Sequence, residues 1–299
     1  ALRATLSLGL PVIDHAQDGA LVAGGVMHDG EVSRRLGLPG MPAEAEEIAV
    51  GRDIALARLT GGHVHIAHIT TARAVEMVRR ARDEGLKVTA EATPHHIFLS
   101  DADAMFYGPE GSVRFNPQAK VNPPLRPAAD AAAVLRGLVE GVIDAIATDH
   151  APHAGVDKSA TPDRVAFGIS GFETALASML TLCHEGPLSL AQVVRGLTSG
   201  PAAVLGTRSP AAGLLPDRAA ELALFDPEVE WTVETASFVS RGRNTPLEGR
   251  RLRGRVLATF VEGCCRFVSD SLAVRCSGGL LQPFVPASSV SGRTNLDSE

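Results

Sequence analysis

The chain has 299 residues, 45% hydrophobic and 21% charged, enough for one large domain or two smaller ones with a buried core. That apolar content excludes intrinsic disorder, and 30 glycines and 19 prolines spread along the chain exclude a coiled coil. With Lys+Arg 28 against Asp+Glu 34 and a net charge of −6, no basic face for nucleic acid is implied, and a small-molecule site is expected instead.

Four cysteines (Cys183, Cys264, Cys265, Cys276) form neither a disulfide framework nor zinc-ribbon spacing, which fits a reducing, cytoplasmic compartment. No run of about 18 apolar residues is present to span a membrane. The opening residues, ALRATLSLGLPVIDH, carry no charged-then-apolar leader and read as the end of a helix running into a strand. The chain is therefore expected to begin inside a fold.

In chain order, Leu10 to His15 reads as a buried strand, and Ala43 to Leu59 as a helix stopped by Gly61-Gly62. HVHIAHI, His63 to Ile69, alternates as a strand. Thr70 and Thr71 can cap a helix over Ala72 to Glu84, which ends at Gly85. Strands follow at Lys87 to Thr93 and Ala145 to Thr148, then helices at Phe172 to Cys183 and Leu190 to Leu197. Strands alternating with helices imply βαβ units and a parallel sheet, and continuous apolar strands imply that both faces are covered. After Gly200-Pro201 and the loop Thr207 to Gly213 the texture changes. ELALFD, EWTVE and RVLATFVEG read as three short β segments of a small module. The expected division is a partial (β/α) barrel over 1–205, the β module over 206–268 and a disordered tail over 269–299.

In a (β/α) barrel, catalytic groups sit at the C-terminal ends of the strands. His15, His68 and Asp149 all lie at such ends, and two imidazoles with a carboxylate suit zinc, which lowers the pKa of water to about 7. Asp149 is placed both to bind metal and to take a proton. A lone strand-end histidine is more often a hydrogen-bonded structural residue. His63 and His65 share one strand face, where a chelating His-x-His pair competes with the favoured rim or packing roles, and one of His95 and His96 is expected to support a ligand. His28 and His184 are expected to be structural or at the surface. TDHAPH (Thr148 to His153) concentrates titratable groups around a proline-stiffened turn. In NPPLR (Asn122 to Arg126) two prolines present Asn122 and Arg126 rigidly; the plainer reading of Arg126 is a surface ion pair. The free N–H groups of FGISGFE (Phe167 to Glu173) could bind a carboxylate, or simply start a helix.

The segments PVIDHAQD, LVAGGVM, GEVSRRLGLPGMPAEAEEIAVGRDIALA, HVHIAHITTARAVE, VTAEATPHH, NPPLR, IDAIATDHAPH and FGISGFETAL closely resemble bacterial dihydroorotases of the multifunctional-enzyme-like class, as do LALFDP, EWTV and RNTPLEG. The resemblance runs in order over about residues 1 to 268. It implies a (β/α)8 TIM-barrel amidohydrolase with a small β-sandwich and two zinc ions, which interconverts dihydroorotate and N-carbamoyl-L-aspartate in pyrimidine synthesis. It makes His15 and His68 ligands of one zinc, and Asp149 the ligand of the other and the general acid/base. Asn122, His153 and the Phe167-Gly168 backbone become substrate contacts, while His63, His65 and Arg126 are demoted. A homo-oligomer and an aspartate transcarbamoylase partner are also implied.

The family's His-x-His-x-x-Arg signature and metal-bridging Asp are not found in these residues, and the tail after Ser269 does not resemble the family. These 299 residues alone are therefore expected to be an inactive, poorly stable fragment whose barrel lacks its first strands and has unpaired edges. Two other readings stay open. One is a cyclic amidase acting on hydantoin or allantoin. The other is a non-catalytic subunit that scaffolds the transcarbamoylase, against which the retention of His15, His68 and Asp149 argues.

Overall fold

The computed structural model describes residues 1–206, 216 and 218–269. The expected tail beyond Ser269 and the loop Thr207 to Gly213 lie outside them. Four parallel strands form an open sheet in chain order: β1 (Val12–Asp14), β2 (Val64–Ile66), β3 (Val88–Ala92) and β4 (Ala145–Ile146). Val12 pairs with Val64, Val64 with Val88 and Glu91 with Ala145, so every strand points its C-terminal end to the same edge. The strand–helix alternation and the parallel sheet are as the sequence predicts.

Helix α1 (Glu44–Thr60) precedes β2. Its first turn carries Glu44, Glu46 and Glu47, which suit the positive end of the helix dipole, and it stops at Gly61 in the left-handed conformation (φ 69°). Helix α2 (Ala72–Asp83) is capped by Thr71, whose hydroxyl accepts from the Ala74 N–H at 3.1 Å. Helix α3 (Ala128–Val139) covers the next crossover. Ile66, Val88, Ala90, Ala92, Val75, Val78 and Val134 are buried together between sheet and helices. At roughly 1.5–3 kcal/mol per large apolar side chain, this layer is the main source of stability.

The period of two in β3 separates Val88, Ala90 and Ala92, facing the helices, from Thr89 and Glu91 on the other face. That second face is polar, not apolar as the continuous hydrophobic reading predicts. The Thr89 hydroxyl lies 2.8 Å from both His63 Nε2 and His65 Nδ1, and His65 Nε2 lies 3.1 Å from Glu91. His63 and His65 thus share a face as expected, within a hydrogen-bonded column. Among the described residues β1 is paired on one side only. Beside its open edge the exposed Leu56 and Leu59 line a cavity of about 510 Å³.

Helices α4 (Ala175–Glu185) and α5 (Leu190–Leu197) follow, then a three-stranded antiparallel sheet of β5 (Leu222–Thr232), β6 (Arg251–Val261) and β7 (Cys264–Val268), with β6 in the centre. ELALFD and EWTVE, predicted as two segments, run along one strand. Register shifts at Arg253/Arg255 and Val256/Ala258 let the eleven-residue β5 stay paired with β6 across the turn-like Asp226-Pro227. The sheet docks on α4, where the Arg253 N–H donates to the Thr181 hydroxyl at 2.8 Å. Among the described residues no helix is long and apolar enough to cross a membrane.

Arg126 is buried, with its side chain 3% exposed, which overturns the surface ion pair. Its guanidinium donates to the Thr70 hydroxyl at 3.1 Å, the Met41 carbonyl at 3.0 Å and His28 Nδ1 at 3.1 Å. Burial, then the Arg126 charge, lowers the His28 pKa to about 4. An unfolded histidine titrates near 6.5, so between those values the unfolded chain binds the extra proton, and stability falls as pH drops from 6.5 toward 4. The loss attributable to His28 approaches about 3 kcal/mol at the acid end. Urea denaturation at several pH values should show a shallower acid slope in His28→Gln than in the wild type. Equal slopes would remove His28 from the acid sensitivity.

Candidate active site

His15 directly follows β1, while His68 and Asp149 lie within three residues of the ends of β2 and β4, so the parallel sheet brings all three to one edge. His15 Nδ1 lies 2.8 Å from His68 Nε2, with the two rings edge to face. His68 (φ 36°) and Asp149 (φ 44°) both occupy the left-handed region, which costs a non-glycine residue about 1–3 kcal/mol and is retained where surrounding structure enforces it. Two of the three candidate residues therefore carry backbone strain at this one edge.

The electrostatics agree. Burial, and then the neighbouring His15, lowers the His68 pKa to about 4, keeping the imidazole neutral and able to ligate. Burial and then Glu91 raise the Asp149 carboxyl above the ordinary range, with His15 opposing, as suits a group that exchanges protons.

His95 and His96 differ in their surroundings. Both lie in a short helix, Pro94–Phe98, rather than at the end of a strand, because Thr93 caps that turn through the His96 N–H. His96 Nδ1 meets the Thr93 hydroxyl and Nε2 the Pro123 carbonyl, each at 2.8 Å, so His96 ties the NPPLR loop to the sheet. His95 faces the site: Nε2 lies 4.0 Å from Asp149 Oδ2, and burial lowers its pKa to about 3. Among the described residues, His95 Nε2 and His68 Nδ1 are buried without hydrogen-bond partners.

Asn122 reaches the same edge. It exchanges two hydrogen bonds with Gln17 (2.7 and 3.0 Å) and lies 3.4 Å from His15 Nε2. Gln17, which sequence reasoning missed, also meets His15 Nε2 at 3.2 Å; its proximity to His15 in HAQD was the available signal. His153, Phe167 and Gly168 form a second group, with His153 Nε2 donating to the Phe167 carbonyl at 2.8 Å. Gly168 has φ 145°, and a Cβ there would fall 2.6 Å from Ala151 Cβ and 2.9 Å from His153 Nε2, so only glycine fits. Several N–H groups of FGISGFE are already engaged and not free for a carboxylate. Those of Gly171 and Phe172 donate to His150 Nδ1 at 3.1 and 3.3 Å, and the His150 ring stacks on Phe172.

Asn244, also missed, joins the C-terminal region to this group. Its Oδ1 accepts from the His153 N–H at 2.8 Å and the Ser170 hydroxyl at 3.1 Å, while Nδ2 donates to the carbonyls of Ala151 and Gly168, each at 3.0 Å. Sequence alone showed it only as part of RNTPLEG. Among the described residues no three His, Cys, Asp or Glu side chains close into one metal-binding set. The imidazoles of His15 and His68 face each other, burial keeps that of His68 neutral, and Asp149 offers a carboxylate beside them, a donor set that suits a metal ion.

The fold matches L-hydantoinase (dihydropyrimidinase) from Arthrobacter aurescens with a TM-score of 0.77 at 25% identity, over 89% of this chain and 58% of that one. Dihydropyrimidinase from Brevibacillus agri NCHU1002 shares it with a TM-score of 0.76 at 23% identity, over 89% and 59%. The chain shares the fold of these hydantoinases. The Dihydro-orotase-like family model matches residues 1–74. The dihydroorotase of Anaeromyxobacter dehalogenans strain 2CP-C is 48% identical over 263 residues, 88% of this chain and 59% of that protein. That of Pelotomaculum thermopropionicum is 47% identical over 276 residues, 92% and 62%. The chain belongs to the dihydroorotase family, and it spans about three fifths of the length of these relatives.

Proposed function

We propose that the full-length protein is a dihydroorotase that reversibly hydrolyses the cyclic amide of (S)-dihydroorotate to N-carbamoyl-L-aspartate in pyrimidine biosynthesis. The observation that carries this reading is the gathering of His15, His68, Asp149 and Asn122 at one edge of the parallel sheet, in a chain 48% identical to a dihydroorotase. In this reading the sheet is part of a (β/α)8 barrel over 1–205, with the β module over 206–268 packed against it.

His15 and His68 would hold one zinc ion and Asp149 a second. Bound there, zinc polarises the amide carbonyl and makes water nucleophilic at neutral pH. Asp149 takes the proton of the attacking water and returns it to the leaving ring nitrogen. Asn122 and His153 hold the carboxylate side of the substrate, and the Phe167-Gly168 backbone also contacts it, so that the reacting carbonyl meets the nucleophile in one orientation.

The hydantoinase-type fold supports a second reading, hydrolysis of hydantoin or allantoin. Steady-state kinetics of the full-length protein on all three substrates separates them. The expected kcat/KM for dihydroorotate exceeds the others by at least about 100-fold, the margin that hydrogen bonds to a substrate polar group can supply. Preference for hydantoin would overturn the substrate assignment. Absence of turnover together with co-purification of aspartate transcarbamoylase would favour the scaffold instead.

A further inference from the structure

Two lysines beside the substrate group are buried with no carboxylate within 4 Å among the described residues: Lys120 is 1% exposed and Lys158 2%. Burying a charge in this way is costly unless every donor is satisfied. Lys158 Nζ donates to the carbonyls of Pro117 (3.2 Å), Lys120 (3.1 Å) and Ala166 (2.8 Å). Three N–H groups meet three acceptors, which is the ammonium form; a neutral amine would turn a lone pair toward a carbonyl. Burial, and then the Lys120 charge, lowers the Lys158 pKa to about 8, which leaves it protonated at neutral pH. Lys120 Nζ donates to the carbonyls of Pro162 (2.6 Å) and Asp163 (3.3 Å) and sits 4.3 Å from the centre of the Phe167 ring.

These carbonyls belong to two segments far apart in sequence. Pro117 and Lys120 lead into Asn122, whereas Pro162, Asp163 and Ala166 lead into Phe167 and Gly168. The Lys120 carbonyl joins them directly, since it accepts from both Lys158 Nζ and the Gly168 N–H, the latter at 2.9 Å. We propose that Lys158, seconded by Lys120, is a positioning residue that clamps the His153–Gly168 loop onto the Asn122 segment, so that the two halves of the substrate site keep one spacing.

The link to substrate rests on the dihydroorotase reading; the clamp does not. The experiment compares wild type with Lys158→Met, of similar length but without donors, in the full-length protein. It reads amide hydrogen exchange over 155–168 and the kinetics on dihydroorotate. The expected result is exchange faster by about tenfold or more in that loop, with α1 and α2 unchanged, and KM raised by about tenfold with kcat held within about threefold. Lys158→Arg, which keeps the charge but not the compact three-carbonyl fit, should fall between, and it replaces the methionine variant if that one does not fold. Unchanged loop exchange overturns the clamp, and a loosened loop with unmoved KM overturns its role in positioning. A general loss of stability with kcat and KM unmoved would mark Lys158 as merely structural. If wild type does not turn over dihydroorotate, the functional reading fails, and loop exchange still decides whether Lys158 holds the loop.

Discussion

Asp149→Asn in the full-length protein should lower kcat for dihydroorotate by about 10³-fold or more, with a much smaller change in KM. The substitution isolates proton transfer. Asparagine has the shape of aspartate and tolerates the left-handed backbone that Asp149 adopts (φ 44°), so the strained turn survives the exchange. It cannot accept and return a proton, and its amide is a poorer metal ligand. The two imidazoles that face each other at 2.8 Å are untouched, so zinc bound through His15 and His68 should remain largely in place by metal analysis. A variant that kept the wild-type rate would remove Asp149 from the acid/base role. A variant that lost all its zinc would show that Asp149 acts first as a ligand, and the rate loss could not then be read as proton transfer.

The convergence of the candidate residues was legible because parallel strands impose a rule that sequence can carry. A polar residue just beyond an apolar strand lands at the shared C-terminal edge, and His15, His68 and Asp149 each do so. The residues that were missed or misjudged obey no such rule. Gln17 and Asn244 act through hydrogen bonds to segments about 105 and 74 to 93 residues away, and neither a strand period nor a helix period encodes those pairings. Arg126 reads as a surface charge until His28, Met41 and Thr70 are brought around it. The N–H groups of FGISGFE look free in sequence, and only the parallel bridge between His150 and Ile169 sets an imidazole against them. ELALFD and EWTVE were separated at Asp226-Pro227 because a proline between two β segments normally marks a turn; the adjoining irregular register accommodates it instead.

Glu46→Ala should destabilise the fold by about 3–5 kcal/mol, the range for removing one partner of a buried, hydrogen-bonded ion pair. Glu46 is 3% exposed on the first turn of α1. It accepts from the Thr70 N–H at 2.8 Å, the Thr71 N–H at 3.1 Å and the Thr70 hydroxyl, and it faces the Arg126 guanidinium at 3.8 Å. Alanine would strand a buried guanidinium and two backbone N–H groups together, where burial leaves no water to replace the lost acceptor. The damage should also reach the site, because Thr70 and Thr71 closely follow His68 and help hold its left-handed turn, while Arg126 closes the loop that carries Asn122. Glu46→Gln keeps an acceptor for the threonine N–H groups but loses the charge, so it should cost less than alanine. Urea denaturation of the two variants orders them. A cost below about 1 kcal/mol for alanine would place this network at the exposed-pair level and transfer the support of the His68 turn to its apolar neighbours.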